Sequence, residues 1–380
     1  MTDGFSGLQL RSCVTSGGEL QLTLAQVDTP APGPGEVVVR IEAAPINPSD
    51  LGLLTGPADL STLVAGGDAD LPSATATIPE KRMPGMKARL DQAMPVGNEG
   101  AGTVVAAGEG ADHLLGKTVA LIAGAMYAQY RTVRATDAFV LPDDATAAEG
   151  ASVFVNPLTA LGMVETMRLE GHSALIHTAA ASNLGQMLNR ICLADGIGLV
   201  NIVRSEAQAT LLRGAGAVHV CDSSAPDFAE TLTDAVATTG ATIAFDAIGG
   251  GDLVNRILTA IEAAANRKAG GYSRYGSSVH KQAYIYGSLD VRPTMIDRNF
   301  GLAWGIGGWL LTPFLARVGP QRTAELRARV NAELKTTFAS HYTQVISLRE
   351  ALDPAVIAAY ARRASGEKFL IDPSLCGWMT

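Results

Sequence analysis

The feature that most constrains this chain is a junction at residues 174–185. An apolar run, Ala174-Leu175-Ile176-His177-Thr178, enters Ala179-Ala180-Ala181-Ser182-Asn183-Leu184-Gly185 and continues as a helical stretch. Small residues where a strand turns into a helix let a diphosphate approach backbone N–H groups at the positive end of the helix dipole. The glycine fingerprint of dinucleotide sites is degraded here, because Ala179 and Ser182 stand where two glycines are usual and only Gly185 remains. Taken alone, a tight turn that binds nothing would use much the same residues. Its setting changes the balance. Apolar runs at 199–203, 217–220, 242–246 and 283–287 alternate with helical patterns near 185–194, 206–214, 226–238 and 252–264, which is how βαβ units in a parallel sheet read. A junction that heads such a series is expected to bind a dinucleotide.

The end of the second run indicates which one. An acid at that place holds the ribose hydroxyls, whereas an arginine accommodates a 2′-phosphate. The chain reads Val203-Arg204-Ser205. NADP(H) is therefore favoured over NAD(H), although Glu206 follows at once.

On both flanks the pattern is β-rich. Residues 36–42 follow the turn-forming Pro32-Gly33-Pro34-Gly35, and 102–107 and 118–123 are short β-branched runs. Between 57 and 95 the periodicity disappears among Pro57, Pro72, Pro79, Pro84 and Pro95, with Lys81, Arg82, Lys87 and Arg89. A long loop, insertion or lid is expected there. A charged helix is expected over 321–335 and strands over 343–347 and 368–371. The class is thus α/β: a doubly wound parallel sheet over 146–335, set within β-rich material at 1–145 and 336–380.

Composition excludes several functions. With 29 Lys+Arg against 37 Asp+Glu, the net charge of −8 argues against a nucleic-acid-binding body. The uncharged stretch 299–316 reaches membrane-helix length, but Gly301, Gly305, Gly307, Gly308 and Pro313 would make a poor span. Buried core or a subunit interface is expected instead, and no membrane contact. Cys13, Cys192, Cys221 and Cys376 lie far apart, and residues 1–5 lack an apolar leader core, so a reducing, cytoplasmic setting is expected. The histidines fall into no metal-ligand spacing, and no metal is expected.

Segments spread over almost the whole chain resemble the medium-chain dehydrogenase/reductase superfamily. They are Pro32-Gly33-Pro34-Gly35-Glu36-Val37, Ile46-Asn47-Pro48-Ser49-Asp50, Gly97-Asn98-Glu99-Gly100-Ala101-Gly102, Tyr127-Ala128-Gln129-Tyr130, Asn156-Pro157-Leu158-Thr159-Ala160, the 174–185 junction, Gly214-Ala215-Gly216-Ala217, Phe245-Asp246-Ala247-Ile248-Gly249-Gly250 and Gly366-Glu367-Lys368. The order is similar to the zinc-independent branch of NADPH:quinone oxidoreductases. Zinc-dependent members carry a Cys in the segment matching 47–50 and a His where this chain has Asn98.

The resemblance implies a GroES-like catalytic domain from both chain ends and an inserted Rossmann domain. It implies a homodimer formed through the latter, with 299–316 as interface core. Asn47 and Thr159 are expected at the nicotinamide end, with Tyr127 as the next catalytic candidate. The expected cofactor contacts are Asn156, Thr159, Ala180, Ser182, Asn183, Leu184, Gly185, Arg204, Ser205, Ile248, Tyr286 and Lys368. The implied activity is zinc-free hydride transfer from NADPH to a small, electron-poor acceptor, a quinone or conjugated enone. Two alternatives remain open: an enoyl-thioester reductase, whose phosphorylated carrier would meet the basic residues of 57–95, and a non-enzymatic NADPH-binding protein.

Overall fold

A computed structural model describes residues 4–268, 273–362 and 367–377; the leader reading at 1–3 and Gly366 of the 366–368 motif lie outside the described residues. The chain forms two compact units, one from Met1–Phe154 with Ala339–Thr380, the other from Val155–Phe338.

The first unit is built on the strand Glu36–Pro45. Val37, Val38, Val39 and Ile41 are all buried, so both faces of this strand are covered and its sequence reads as a continuous apolar run rather than an alternation. It pairs antiparallel with Gly100–Ala107 and with Tyr130–Arg134. At its far end Pro45 and Ala44 meet Leu370 and Ile371 of the strand Phe369–Ile371, which returns the C-terminal segment to the same sheet.

A second sheet in this unit runs Val64–Gly67, Pro72–Thr77, Glu19–Thr29, Phe5–Val14, Met94–Pro95. This corrects the loop reading of 57–95, which supplies three of its five strands. The period-two pattern there is carried by Ala74 and Ala76, buried between Ser73, Thr75 and Thr77. Alanine is a weak strand former and the flanking prolines punctuate the run, so the alternation is hard to see. Two of the basic residues are structural: Arg82 donates to Pro57 O at 2.8 Å, and Arg89 donates to Gly52 O at 3.1 Å and to Ser12 Oγ at 3.0 Å.

The second unit is a six-stranded sheet, parallel throughout, in the spatial order His219–Asp222, Gly198–Val203, Ala174–His177, Ile243–Asp246, Lys281–Ile285, Trp304–Gly308. In chain order this is 3-2-1-4-5-6, the doubly wound order whose strand direction of travel reverses beside the first strand. Five of these strands are the expected ones within two residues. The sixth lies in the uncharged 299–316 stretch, where three glycines in Trp304–Gly308 mask strand propensity. It forms an edge of the sheet, with Leu302 and Leu310 exposed on either side. The following helix, Leu311–Ala332, is broken at Gly319 (φ 80°, ψ 172°) before Pro320, so the expected 321–335 helix is its second half.

One buried ion pair ties the helix Leu253–Lys268 to this sheet. Lys281 Nζ, with no exposed surface, donates to Glu262 Oε2 at 2.7 Å and to Val279 O at 2.9 Å. Burial would raise the Glu262 carboxyl, but hydrogen bonds from Lys281 and Ser277 outweigh it and hold the group down at about 2. Removing one member of such a pair strands the other charge in the core. Glu262→Gln is expected to cost about 3–5 kcal/mol of stability in denaturant titration; a loss under about 1 kcal/mol would show that the pair does not hold the helix.

Candidate active site

In the first unit, polar side chains converge on a fully buried carboxylate. Glu99 Oε1 accepts from Asn47 Nδ2 at 2.8 Å and Oε2 accepts from the Phe154 N–H at 3.0 Å. Asp50, also buried, accepts the Asn47 N–H at 2.8 Å through Oδ2 and the Asn98 N–H at 2.9 Å through Oδ1. Asn98 Nδ2 donates to Ser49 Oγ at 2.9 Å. Three separated segments, 47–50, 98–99 and 152–154, are thereby locked together.

The hydrogen bond to Glu99 decides what Asn47 can offer. A carboxylate only accepts, so the amide must turn its NH₂ toward it. Asn47 Oδ1 is left buried without a partner. Asn47 therefore presents an acceptor, where a polarising donor is expected from the resemblance. Tyr127, the next catalytic candidate, is fully buried, and its hydroxyl donates to Pro45 O at 3.0 Å and lies against the Asp50 carboxyl.

Lys368, expected at the cofactor, is placed in this same cluster. Its Nζ donates to Ser152 Oγ at 2.7 Å, and Ser152 Oγ lies 2.9 Å from the Tyr342 hydroxyl. The ammonium also sits 5.2 Å from the Tyr342 ring centroid. Burial brings Lys368 down to about 8, against the opposing pull of Glu99 and Asp50. Burial likewise pushes the Asp50 carboxyl up to about 7; the Asn47 N–H opposes that rise and Glu99 adds to it.

In the second unit residues 180–185, Arg204, Ser205, Ile248 and Tyr286 follow the carboxyl ends of parallel strands, where doubly wound sheets bind ligands. The strand Ala174–His177 turns through Ala179, whose φ of 50° is left-handed, into the helix Asn183–Asp195. Ser182 caps that helix, its Oγ accepting the Gly185 N–H at 3.1 Å. Gly185 packs on Ala180 O so closely that a Cβ would overlap it. The loop is held from below by Asp246, which accepts from Thr178 Oγ1 at 2.7 Å and from the Ile248 and Gly249 N–H groups at 3.1 and 2.8 Å.

Past the second strand, Arg204 is exposed and Ser205 caps the next helix, accepting the Gln208 N–H. Glu206, the acid that could repel a 2′-phosphate, is paired with Arg213 at 2.7 Å along its own helix. Asn156 and Thr159 lie buried one turn apart on the helix Val155–Leu169. Tyr286 follows the strand Lys281–Ile285 and its hydroxyl lies 2.8 Å from His177 Nε2. Burial drives His177 down to about 3, so it is neutral. Tyr286, Ser288, Trp309, Leu310 and Pro313 line an open cavity of about 430 Å³.

Asp50, Glu99, Ser152, Tyr342 and Trp309 were missed as site residues from sequence. Asp50 and Glu99 sit inside segments that carried the resemblance, and an acid beside each amide is the signal that could have found them. Ser152 and Tyr342, 190 positions apart, leave no local signal.

The alcohol dehydrogenase GroES-like domain family matches residues 33–143. With the doubly wound unit that accompanies it, the chain is similar in architecture to medium-chain dehydrogenase/reductases. In structure it is similar to a protein from Mesorhizobium loti assigned as an NADPH:quinone reductase, at 26% identity and a TM-score of 0.72 over 98% of this chain and 100% of that one. Among curated proteins it is 30% identical over 227 residues to the synaptic vesicle membrane protein VAT-1 homolog of Rattus norvegicus, covering 59% of this chain and 49% of that protein. It is 28% identical over 205 residues to the mitochondrial enoyl-[acyl-carrier-protein] reductase of Bos taurus, covering 52% and 48%. The chain thus spans about half the length of these curated relatives.

Asp50 makes the site testable by pH. Its folded value lies above the ordinary 3.8, so the folded state holds this proton more tightly than the unfolded chain does. The stability it contributes is complete below about pH 4 and is lost as pH rises through about 7. Asp50→Asn, which mimics the neutral acid, is expected to gain stability relative to the parent between pH 5 and pH 8 in thermal melts. A pH-independent difference would show that Asp50 is ionised throughout.

Proposed function

We propose that this chain is an NADPH-dependent oxidoreductase of the zinc-independent branch, transferring hydride to a quinone or conjugated enone. The state of two amides carries this reading. At the places where zinc-dependent relatives hold a Cys and a His, this chain has the Asn47 segment and Asn98, and both amides are already committed, to Glu99 and to Ser49. Zinc takes thiolate, imidazole or carboxylate, and a neutral amide is a poor substitute. Without a Lewis acid to polarise it, the acceptor must be electron-poor to begin with. Quinones and conjugated enones are.

The second unit suits the cofactor. The Ala179–Gly185 turn brings small residues to a helix N-terminus, Gly185 has no space for a side chain, and Arg204 is exposed with the neighbouring Glu206 drawn off to Arg213. Bound there, NADPH supplies the hydride. Arg204 and Ser205 hold the 2′-phosphate, and Asn156, Thr159, Ile248 and Tyr286 orient the remainder.

The similarity to enoyl-[acyl-carrier-protein] reductases favours a second reading, an enoyl-thioester reductase. Against it, Pro57 stands where the resemblance expects that group's Tyr, and Arg82 and Arg89 are bound to backbone carbonyls rather than available to a carrier phosphate. A protein that only binds NADPH would quench cofactor fluorescence without turnover. For assembly we favour a homodimer through the edge strand Trp304–Gly308. The free cysteines fit a reducing, cytoplasmic setting.

Three outcomes check this. NADPH is expected to bind at least tenfold more tightly than NADH, since a charge-assisted contact is worth roughly 1.5–3 kcal/mol. Arg204→Ala should erase most of that gap, and salt should narrow it; equal binding at low salt would sink the assignment. The purified protein should hold well under one zinc per chain by metal analysis. Light scattering at micromolar concentration should give a dimer, and a monomer would remove the edge strand as its interface.

A further inference from the structure

Reduction of a carbonyl acceptor needs a proton as well as a hydride, and the first unit contains a chain of groups arranged to pass one. It starts at Lys368 Nζ, buried beside Glu99 and Asp50, crosses Ser152 Oγ at 2.7 Å and reaches the Tyr342 hydroxyl after a further 2.9 Å. Each contact is a good hydrogen bond between a donor and a group that both donates and accepts. The three residues come from segments 152, 342 and 368, so only the fold assembles them. Tyr342, unlike Lys368, is partly exposed.

A purely structural role is a poor explanation of Lys368. A structural lysine is more cheaply placed with its ammonium in water, and a buried one normally faces a carboxylate directly, as Lys281 does Glu262. Lys368 instead donates to neutral hydroxyls, Ser152 Oγ at 2.7 Å and Ser340 Oγ at 3.5 Å, while Glu99 accepts from Asn47 and the Phe154 N–H among its partners. The charged and titratable groups that face it are Glu99 and Asp50, with Tyr342 across the ring contact.

We propose that Lys368, Ser152 and Tyr342 form a proton relay that protonates the acceptor oxygen, with Tyr342 as the group that touches the acceptor. The inference rests on the reductase reading above. Two electrons and a hydrogen reach the acceptor as hydride, and the cofactor is oxidised from NADPH to NADP⁺. The acceptor oxygen gains an O–H bond as the Tyr342 O–H breaks. Ser152 returns a proton to Tyr342, Lys368 returns one to Ser152, and the deficit ends as a neutral amine on Lys368, which solvent reprotonates once product leaves. The relay delivers to oxygen, so it suits a quinone or the enolate oxygen of an enone.

The test uses the full-length protein with NADPH and p-benzoquinone. In the parent, turnover should fall as pH rises through about 8, where Lys368 loses the proton it donates, and should show a solvent deuterium isotope effect. Tyr342→Phe keeps the ring but cuts the chain. It should lower kcat roughly 10²-fold, abolish the alkaline limb and leave the NADPH dissociation constant, read by fluorescence, within about twofold. Lys368→Arg is the discriminating variant: it keeps the positive charge but its guanidinium does not give up a proton. A relay predicts that Lys368→Arg is as impaired as Lys368→Met, whereas a structural or electrostatic lysine predicts rescue. Rescue by Arg, or a parental pH profile in Tyr342→Phe, overturns the relay alone. Absence of any turnover by the parent, with NADPH still bound, overturns the reductase reading and the relay with it. Should Lys368→Met fail to fold, Ser152→Ala interrupts the same chain at a smaller side chain and must lose the alkaline limb too.

Discussion

Glu99 has no exposed surface, and a carboxylate that water cannot reach must be satisfied by the groups around it. Much of the first unit is arranged to do so. One oxygen takes the Asn47 amide and the other the Phe154 N–H, so two segments 107 positions apart are held through one side chain. The same constraint fixes polarity: because Glu99 only accepts, Asn47 must face it with nitrogen and leave its oxygen unpartnered. Lys368 answers the negative charge of Glu99 from a distance, and its own proton is directed elsewhere, to Ser152. A single buried charge thus decides which hydrogen-bonding atoms the neighbouring side chains have left to offer.

The second unit carries a different tension. Ala179 adopts a left-handed φ of 50° at the position where related loops have glycine, a conformation that costs an L-residue about 1–2 kcal/mol. The strain is borne because the surroundings overdetermine the turn: Asp246 ties Thr178 below it to the Ile248 and Gly249 N–H groups of the loop after the fourth strand. Only at Gly185 does contact with Ala180 O leave no room for any substitute. The degraded glycine pattern is therefore a difference of one tolerated strain and one capping serine, and small residues still line the turn at the helix N-terminus, where we place the diphosphate.

Local chemistry explains which elements were legible. The central parallel strands Ala174–His177, Gly198–Val203 and Ile243–Asp246 are buried on both faces, so each reads as an apolar run, and two of the helices between strands carry caps at Ser182 and Ser205. The strand Pro72–Thr77 escaped because alanine supplies its buried positions, and Trp304–Gly308 because three glycines interrupt it and leave only Trp304 and Ile306 to pack on the core. The same limit governs the site. Asn47, Arg204 and Gly185 stand in short motifs whose spacing carries meaning, whereas Ser152 and Tyr342 are ordinary residues until 190 positions of chain fold them to within 2.9 Å.

The class of fold, the resemblance to one family and the proposal of a phosphorylated dinucleotide were all readable from the sequence, because each rests on periodicity or on residue type at the end of one strand. Tertiary structure decided what those residues do. It showed that Tyr127 is occupied by Pro45 O, that Glu206 is turned to Arg213, and that Lys368 is buried on Ser152 rather than exposed. The reason is physical: a side chain's identity lists the hydrogen bonds it can make, but burial and its nearest neighbours determine which of them it has already spent.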